Sequence, residues 1–177
     1  MPYLQAAVDK PFGAMPYDRV LSVGAYSKDS SAAAIYPGDF VTLETDGGII
    51  VATATQALIL GVAAEYSAAS TAKTDFLVYD HPDQKYTIQD DGDTTAMTEA
   101  SVGANADLVV TTGDTSTLRS KHEIDSSSAT TTNTLALKVL GLHPVEDRSF
   151  ASAAGSPRKW IVKINSHQLG GYETVGI

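Results

Sequence analysis

Residues 37–65, PGDFVTLETDGGIIVATATQALILGVAAE, constrain the fold more than any other stretch, because strand pattern, turn chemistry and spacing agree there. Pro37, Gly38 and Asp39 form a turn signal, and Phe40, Val41 and Leu43 follow as a short apolar run. Asp46-Gly47-Gly48 then supplies the residues that tolerate the positive φ of a tight hairpin. Ile49-Ile50-Val51 reads as the returning strand. After a step of small residues from Ala52 to Ala57, Leu58 to Ala63 reads as a third strand, with Gly61 marking a bulge or a close backbone approach. The expectation is a β-meander at the heart of the domain.

The same alternation of strand and turn signals runs along most of the chain. Residues 19–26 (RVLSVGAY) form a plausible strand. Residues 75–80 form another, and residues 85–89, with Tyr86 and Ile88 on one face, pair most simply with it across the His81-Pro82-Asp83-Gln84 turn. Asp90-Asp91-Gly92-Asp93 reads as a hairpin turn. Residues 94–103 are the one candidate for a short helix, stopped by Gly103. Strands are expected at 106–112, at 135–140 and at 160–164, with uncharged, low-complexity SSSATTTNT (126–134) as a mobile loop or hairpin tip. Trp160, the single tryptophan, alternates with its neighbours and reads as a core anchor. The fold class is therefore all-β: a small antiparallel β-barrel or β-sandwich with an extended N-terminal arm and at most one short helix.

Three prolines (Pro2, Pro11, Pro16) and three spaced aromatics (Tyr3, Phe12, Tyr17) set residues 1–19 apart as that arm, since proline suits neither a helix interior nor a central strand. It lies either on a neighbouring surface or around its own domain. Residues 20–167 form the β-domain, and 168–177, with three glycines, a C-terminal tail. The 177 residues are enough for one self-sufficient core.

Composition excludes several functions. The formal net charge of −9, with twelve basic residues read as scattered and forming no patch, argues against nucleic acid as partner. Cysteine is absent, which removes disulfides and thiolate chemistry. Neither a signal-peptide pattern nor an apolar run long enough to span a bilayer is seen, which leads to the expectation of cytoplasmic production and no membrane partner. His81, His122, His143 and His167 fall at separate turns or strand ends, without the paired spacing of a zinc site, and read as exposed loop histidines. The acidic run at 90–93 lacks the register of an EF-hand loop. No GxSxG elbow, GxGxxG or GxxxxGK[ST] cradle occurs, so an enzymatic reading has no positive residue to stand on and no cofactor is expected.

The central stretch resembles the cement, or head decoration, proteins of tailed bacteriophages. Gly38, Asp39, Val41, Gly47, Gly48, Val51, Ala52, Gly61, Val62 and Ala63 carry the likeness. YDHPDQKYTIQDD, VGANADLVVTTGDTSTLRSKHEIDSS and LALKVLGLHPVED are also similar to structural proteins of tailed phages, so the likeness covers roughly residues 37 to 165. It implies a non-enzymatic protein on the outer capsid surface of a virion, assembled in the host cytoplasm, that bridges major capsid protein subunits. It also implies a homo-oligomer, a trimer in preference to a dimer. On that reading the partner-contact residues are Tyr3, Leu4, Phe12 and Tyr17 in the arm, with Tyr172 and Ile177 in the tail. The alternative is another virion β-domain: a head–tail connector, tail-tube or fibre-associated protein. A carbohydrate-binding sandwich is poorly supported by an aromatic content of 7%.

Overall fold

Alternation of buried and exposed side chains along short strands, the period of a half-buried sheet, governs most of the chain. A computed structural model describes residues 9–144 and 156–170. In chain order its strands are β1 (Met15–Pro16), β2 (Gly24–Lys28), β3 (Phe40–Leu43), β4 (Ile49–Val51), β5 (Gly61–Ala63), β6 (Lys73–Tyr79), β7 (Lys85–Gln89), β8 (Asn105–Ala106), β9 (Leu108–Val109), β10 (Glu123–Ile124), β11 (Leu137–Leu142) and β12 (Lys159–Ile164). They form three antiparallel sheets: β1-β7-β12-β11-β8, β2-β6-β5-β3-β4, and the pair β10-β9. The fold is all-β, with no long helix among the described residues, and none is long and apolar enough to cross a membrane.

The first sheet follows directly from its alternation. Trp160, Val162 and Ile164 of β12 point inward and meet Ile88, Tyr86 and Leu137 of the flanking strands in register. These apolar cross-strand pairs are what hold neighbouring strands in place. The second sheet is apolar on both faces. Phe40 and Val62 join Tyr86, Ile88, Trp160 and Val162 in a core between the two sheets, whereas Val41, Ile49, Leu60, Phe76 and Val78 form a smaller core on the other face, together with Ile35. Phe40 meets Tyr86 edge-on, with ring centroids 6.1 Å apart. At one end of the smaller core the buried Lys28 points its ammonium at the carbonyls of Ala68 and Thr71, each at 3.0 Å.

Pairing differs from the sequence-based expectation in several places. The central stretch is not a meander. β3 lies between β4 and β5, because residues 52–60 carry the chain across to its far side. That passage is fixed by Ala52 N–H to Phe40 O (2.9 Å) and Leu60 N–H to Val41 O (2.9 Å). Gly61 is where the backbone of β5 approaches the Tyr79 carbonyl too closely for any Cβ. β6 and β7 do not pair with each other but enter different sheets. The physical reason is Gln84, 1% exposed. Its amide accepts from Leu21 N–H (2.8 Å) and donates to Arg19 O (2.9 Å) and Lys85 O (2.8 Å). It thereby ties the 80–84 crossing to a second crossing at 17–23, where Asp18 bends the chain at φ 71°.

Three smaller corrections follow the same logic. The strand expected at 106–112 divides at Asp107, whose N–H goes to Ser128 Oγ (2.8 Å), so β8 and β9 belong to different sheets. Asp90 to Asp93 is not a hairpin turn, because β7 pairs with β1 and β12 rather than with the strand that follows. Asp90 is itself buried and accepts from Trp160 Nε1 (2.8 Å) and Arg158 N–H (2.9 Å). Regular strand begins only at Gly24, although residues 19–26 read as one strand. The candidate helix shrinks to a 3-10 turn, Glu99–Ser101, followed by Gly103 at φ 87°. A second such turn, Ser126–Ser128, occupies part of the segment read as a loop.

Candidate functional site

The arm, the Pro37-Gly38-Asp39 turn and residues 113–122 are locked together, and a cleft opens where they meet. Gly13 adopts φ 73° with Ser120 and the Gly38 carbonyl so close that no Cβ fits. Gly38 (φ 96°) likewise lies under the Phe12 carbonyl, which a Cβ would meet at 3.0 Å. Ala14 N–H donates to Gly38 O (2.9 Å) and Ser120 N–H to Pro37 O (3.1 Å). Residues 9–17 therefore lie on their own domain.

Behind this junction are Asp39, Ser120 and His122, all buried. Tyr36 N–H donates to Asp39 Oδ2 (2.8 Å), and Phe40 N–H donates to His122 Nδ1 (3.2 Å). The imidazole proton is therefore on Nε2, which faces Asp39 Oδ1 at 3.4 Å. Burial lowers the His122 pKa to about 4. Burial also raises Asp39 to about 6, against the opposing hydrogen bonds from Ser120 and the Tyr36 backbone. Ser120 Oγ accepts from His122 N–H (3.0 Å). With Nδ1 engaged by backbone and Nε2 carrying the proton, the imidazole offers the serine no free nitrogen, and the Ser120 hydroxyl turns to Asp39 instead.

The cleft in front has a volume of about 460 Å³ and is lined by Lys10, Phe12, Arg119 and Lys121, with Pro11, Asp114, Thr117 and Ser120. Lys159 Nζ lies 5.8 Å from the centre of the Phe12 ring, within cation–π range. The twelve basic residues are thus not all scattered: Lys10, Arg119, Lys121 and Lys159 gather around one aromatic. Asp114 partly offsets them, its Oδ2 lying 3.8 Å from Lys121 Nζ. Its carboxyl is held below the ordinary range by the Ser116 and Thr117 N–H groups. At the tip of this turn Leu118 is 42% exposed with φ 51°, a conformation unfavourable for a bulky side chain. The fold holds an apolar side chain out to solvent beside a basic cleft.

Of the residues expected to contact a partner, Phe12 forms part of this cleft. Tyr17 is elsewhere, edge-on to His143 at 5.5 Å and against a separate hollow of about 210 Å³ beside Gln84. Tyr3, Leu4, Tyr172 and Ile177 lie outside the described residues. Arg119, Lys121 and Leu118 were not anticipated, although Arg119 and Lys121, two apart, are positioned to share one side of an extended segment. The histidines need correcting as well: His122 and His167 are 1% and 5% exposed, and each contributes an imidazole acceptor to a backbone N–H, from Phe40 and from Leu169.

An acidic group lies just past the ends of β7 and β10. Asp91, Asp93 and Asp125 place carboxylate oxygens within 4.8 Å of one another. The Ser126 hydroxyl bridges Asp91 (2.7 Å) and Asp93 (3.0 Å). Glu123 nearby is pushed up to about 7 by burial and then by the charges of Asp9, Asp91 and Asp90. No family model, curated protein or solved structure matches the chain.

Proposed function

We propose that the chain is a non-enzymatic capsid decoration protein that binds the outer surface of a tailed-phage shell and bridges its major capsid protein subunits. The observation that carries the reading is the Phe12 cleft. In a chain of net charge −9, three basic side chains and an outward-held Leu118 surround an aromatic floor, a surface suited to an acidic, partly apolar protein segment. The overall acidity disfavours phosphate backbones as occupants. The resemblance of residues 37–65 to head decoration proteins supports the same conclusion, and multivalent attachment would make modest contacts lasting. The partner is protein, neither nucleic acid nor membrane, and no cofactor is required.

We further read the second sheet as a small barrel. The support is a parallel bridge, Ser27 to Gly48, that joins its two outer strands β2 and β4 around the smaller core.

Co-sedimentation with expanded, DNA-free phage shells tests the function. The protein should pellet with shells at low salt and release as salt rises, and Arg119→Glu with Lys121→Glu should weaken binding at least ~10-fold, as expected for truncated charge contacts at an interface. Failure of the wild-type protein to pellet would overturn the decoration role. Formation of tubes or rings by the protein alone would favour a tail-tube or connector role instead.

A further inference from the structure

We propose that residues 20–25 form the seam of a two-fold dimer, paired antiparallel with the same segment of a second copy. Sheet edges present unpaired N–H and C=O groups, and proteins ordinarily cover them, shorten them, or guard them with proline or charge. Among the described residues, the other edges follow that rule. β1 is two residues long and contains Pro16. β8 is covered by Thr130, which exchanges both backbone hydrogen bonds with Asn105 (2.7 and 2.9 Å). β4 meets β2 at Gly48, β10 is joined to Asp90 of the first sheet, and β9 is two residues long.

The segment leading into β2 has none of these devices. Among the described residues, the backbone groups of Val20, Ser22 and Val23 have no hydrogen-bond partner, and Leu21 N–H alone is engaged, by Gln84. Val20, Leu21 and Val23 are 48%, 37% and 46% exposed, and exposure alternates from Leu21 through Ser27 as in a strand. Leu77, paired with Ala25 in β6, continues the apolar face at 42% exposure.

Two features select a second copy as the occupant. Residues 20–25 (VLSVGA) carry no charge in a chain of net −9, and the Asp80 carboxylate over Gly24 is bonded to the Tyr26 hydroxyl (2.7 Å), so two acidic copies can meet there with little opposing charge, whereas a charged partner segment would find no counter-charge. The sequence is also self-complementary about Val23. An antiparallel two-fold centred on it sets Val23 opposite Val23, Leu21 opposite Ala25 and Ser22 opposite Gly24, so each large side chain faces a small or equal one on the same side of the sheet. The seam would lie upstream of the Ser27–Gly48 bridge that joins β2 to β4.

The absence of native cysteine allows a direct test on the full chain in solution, with no shells present, so that its outcome is separate from that of shell binding. In a Val23→Cys variant the two thiols would sit on Cα atoms ~4.5–5.5 Å apart, within disulfide reach. Mild oxidation should give a covalent dimer in high yield, whereas Leu118→Cys, equally exposed but off the seam, should not. Light scattering should give twice the chain mass for the wild-type protein, and Val23→Lys should raise the dimer dissociation constant at least ~10-fold while leaving the thermal transition unchanged at dilutions where both proteins are monomeric. A wild-type mass of one chain at ~100 µM, a mass of three chains, or a dimer indifferent to Val23→Lys would each overturn the proposal.

Discussion

The Phe12 cleft and the edge at residues 20–25 are both exposed, and they are built in opposite ways. At the cleft, every nearby backbone turn is fixed: Gly13 and Gly38 lie in close contact with Ser120, and the buried Asp39 and His122 brace the floor. At the edge, Val20, Ser22 and Val23, three of four successive residues, have no backbone partner among the described residues, and a single side chain, Gln84, ties the segment down. A pre-set charged surface selects by electrostatic fit and loses little entropy on binding, whereas an unpaired edge selects whatever can complete its ladder. The two surfaces should therefore respond differently to mutation.

The largest difference is expected at their glycines. Gly13→Ala requires a Cβ where Ser120 and the Gly38 carbonyl already stand, at a φ of 73°. Overpacking and left-handed strain together should destabilise the protein by about 3 kcal/mol. Gly24→Ala at the edge meets only the ends of the Asp80 and Tyr26 side chains. Displacing their hydrogen bond (2.7 Å) should cost about 1 kcal/mol. Chemical denaturation of both variants measures the gap, and equal losses would mean that the cleft is no more rigid than the edge.

The next effect is a pH dependence located under the cleft. With a folded pKa near 4, His122 binds its proton more weakly in the folded than in the unfolded state. Its contribution to stability is thus full above about pH 6.5 and is lost as pH falls toward 4. Asp39, raised to about 6, acts in the opposite sense: the folded state holds its proton more tightly between about pH 4 and 6, so its contribution declines as pH rises through that window. The two largely cancel in the wild-type protein. His122→Asn keeps an acceptor for Phe40 N–H and removes one side of the balance. Measured against wild type, the variant should gain on the order of 2 kcal/mol as pH falls from 6.5 to 4, and a constant difference would show that His122 is not held neutral.

Glu123 gives a smaller effect of known sign. Its pKa of about 7 means that ionisation near pH 8 opposes folding. Glu123→Gln should therefore raise the melting temperature at pH 8 by a few degrees, on the order of 1 kcal/mol for a chain of this size, with the gain vanishing near pH 4.5. A loss at pH 8 would mean that a counter-charge neutralises the carboxylate.

How much of this could be read from the sequence follows from the range of each interaction. β3, β4, β7 and β12 were legible because an apolar alternation and a turn such as Asp46-Gly47-Gly48 are local signals. Their partners were not, because pairing was decided by residues far apart, above all Gln84 bonding to Arg19 and Leu21. The cleft was half legible. Phe12 stood out in a proline-rich arm, but Arg119 and Lys121 join it only through the Gly13–Ser120 junction. Residues 120–124 hid a readable signal: Ser120, His122 and Ile124 are buried while Lys121 and Glu123 alternate outward. The charges of Lys121 and Glu123 mask this period of two, so that by sequence His122 reads as an exposed loop residue.

The smallest expected effect compares an ion pair from each region. Lys73 and Glu65 approach to 2.6 Å beside the edge, and Glu65 also accepts from Leu77 N–H (2.7 Å). Lys121 and Asp114 stand 3.8 Å apart at the cleft, where Asp114 also accepts from the Ser116 and Thr117 N–H groups. Both pairs are part-exposed, so the ionic component of each is expected to be small and to be screened by salt. Glu65→Gln and Asp114→Asn keep a carbonyl acceptor for the backbone while removing the charge. Each should therefore shift stability only slightly, and the shift should fade in 1 M salt. If Asp114→Asn loses appreciably more and the loss persists in salt, the carboxylate holds the 114–119 turn through its backbone hydrogen bonds. The cleft's rigidity would then extend out to Leu118, the residue on which the proposed shell contact depends.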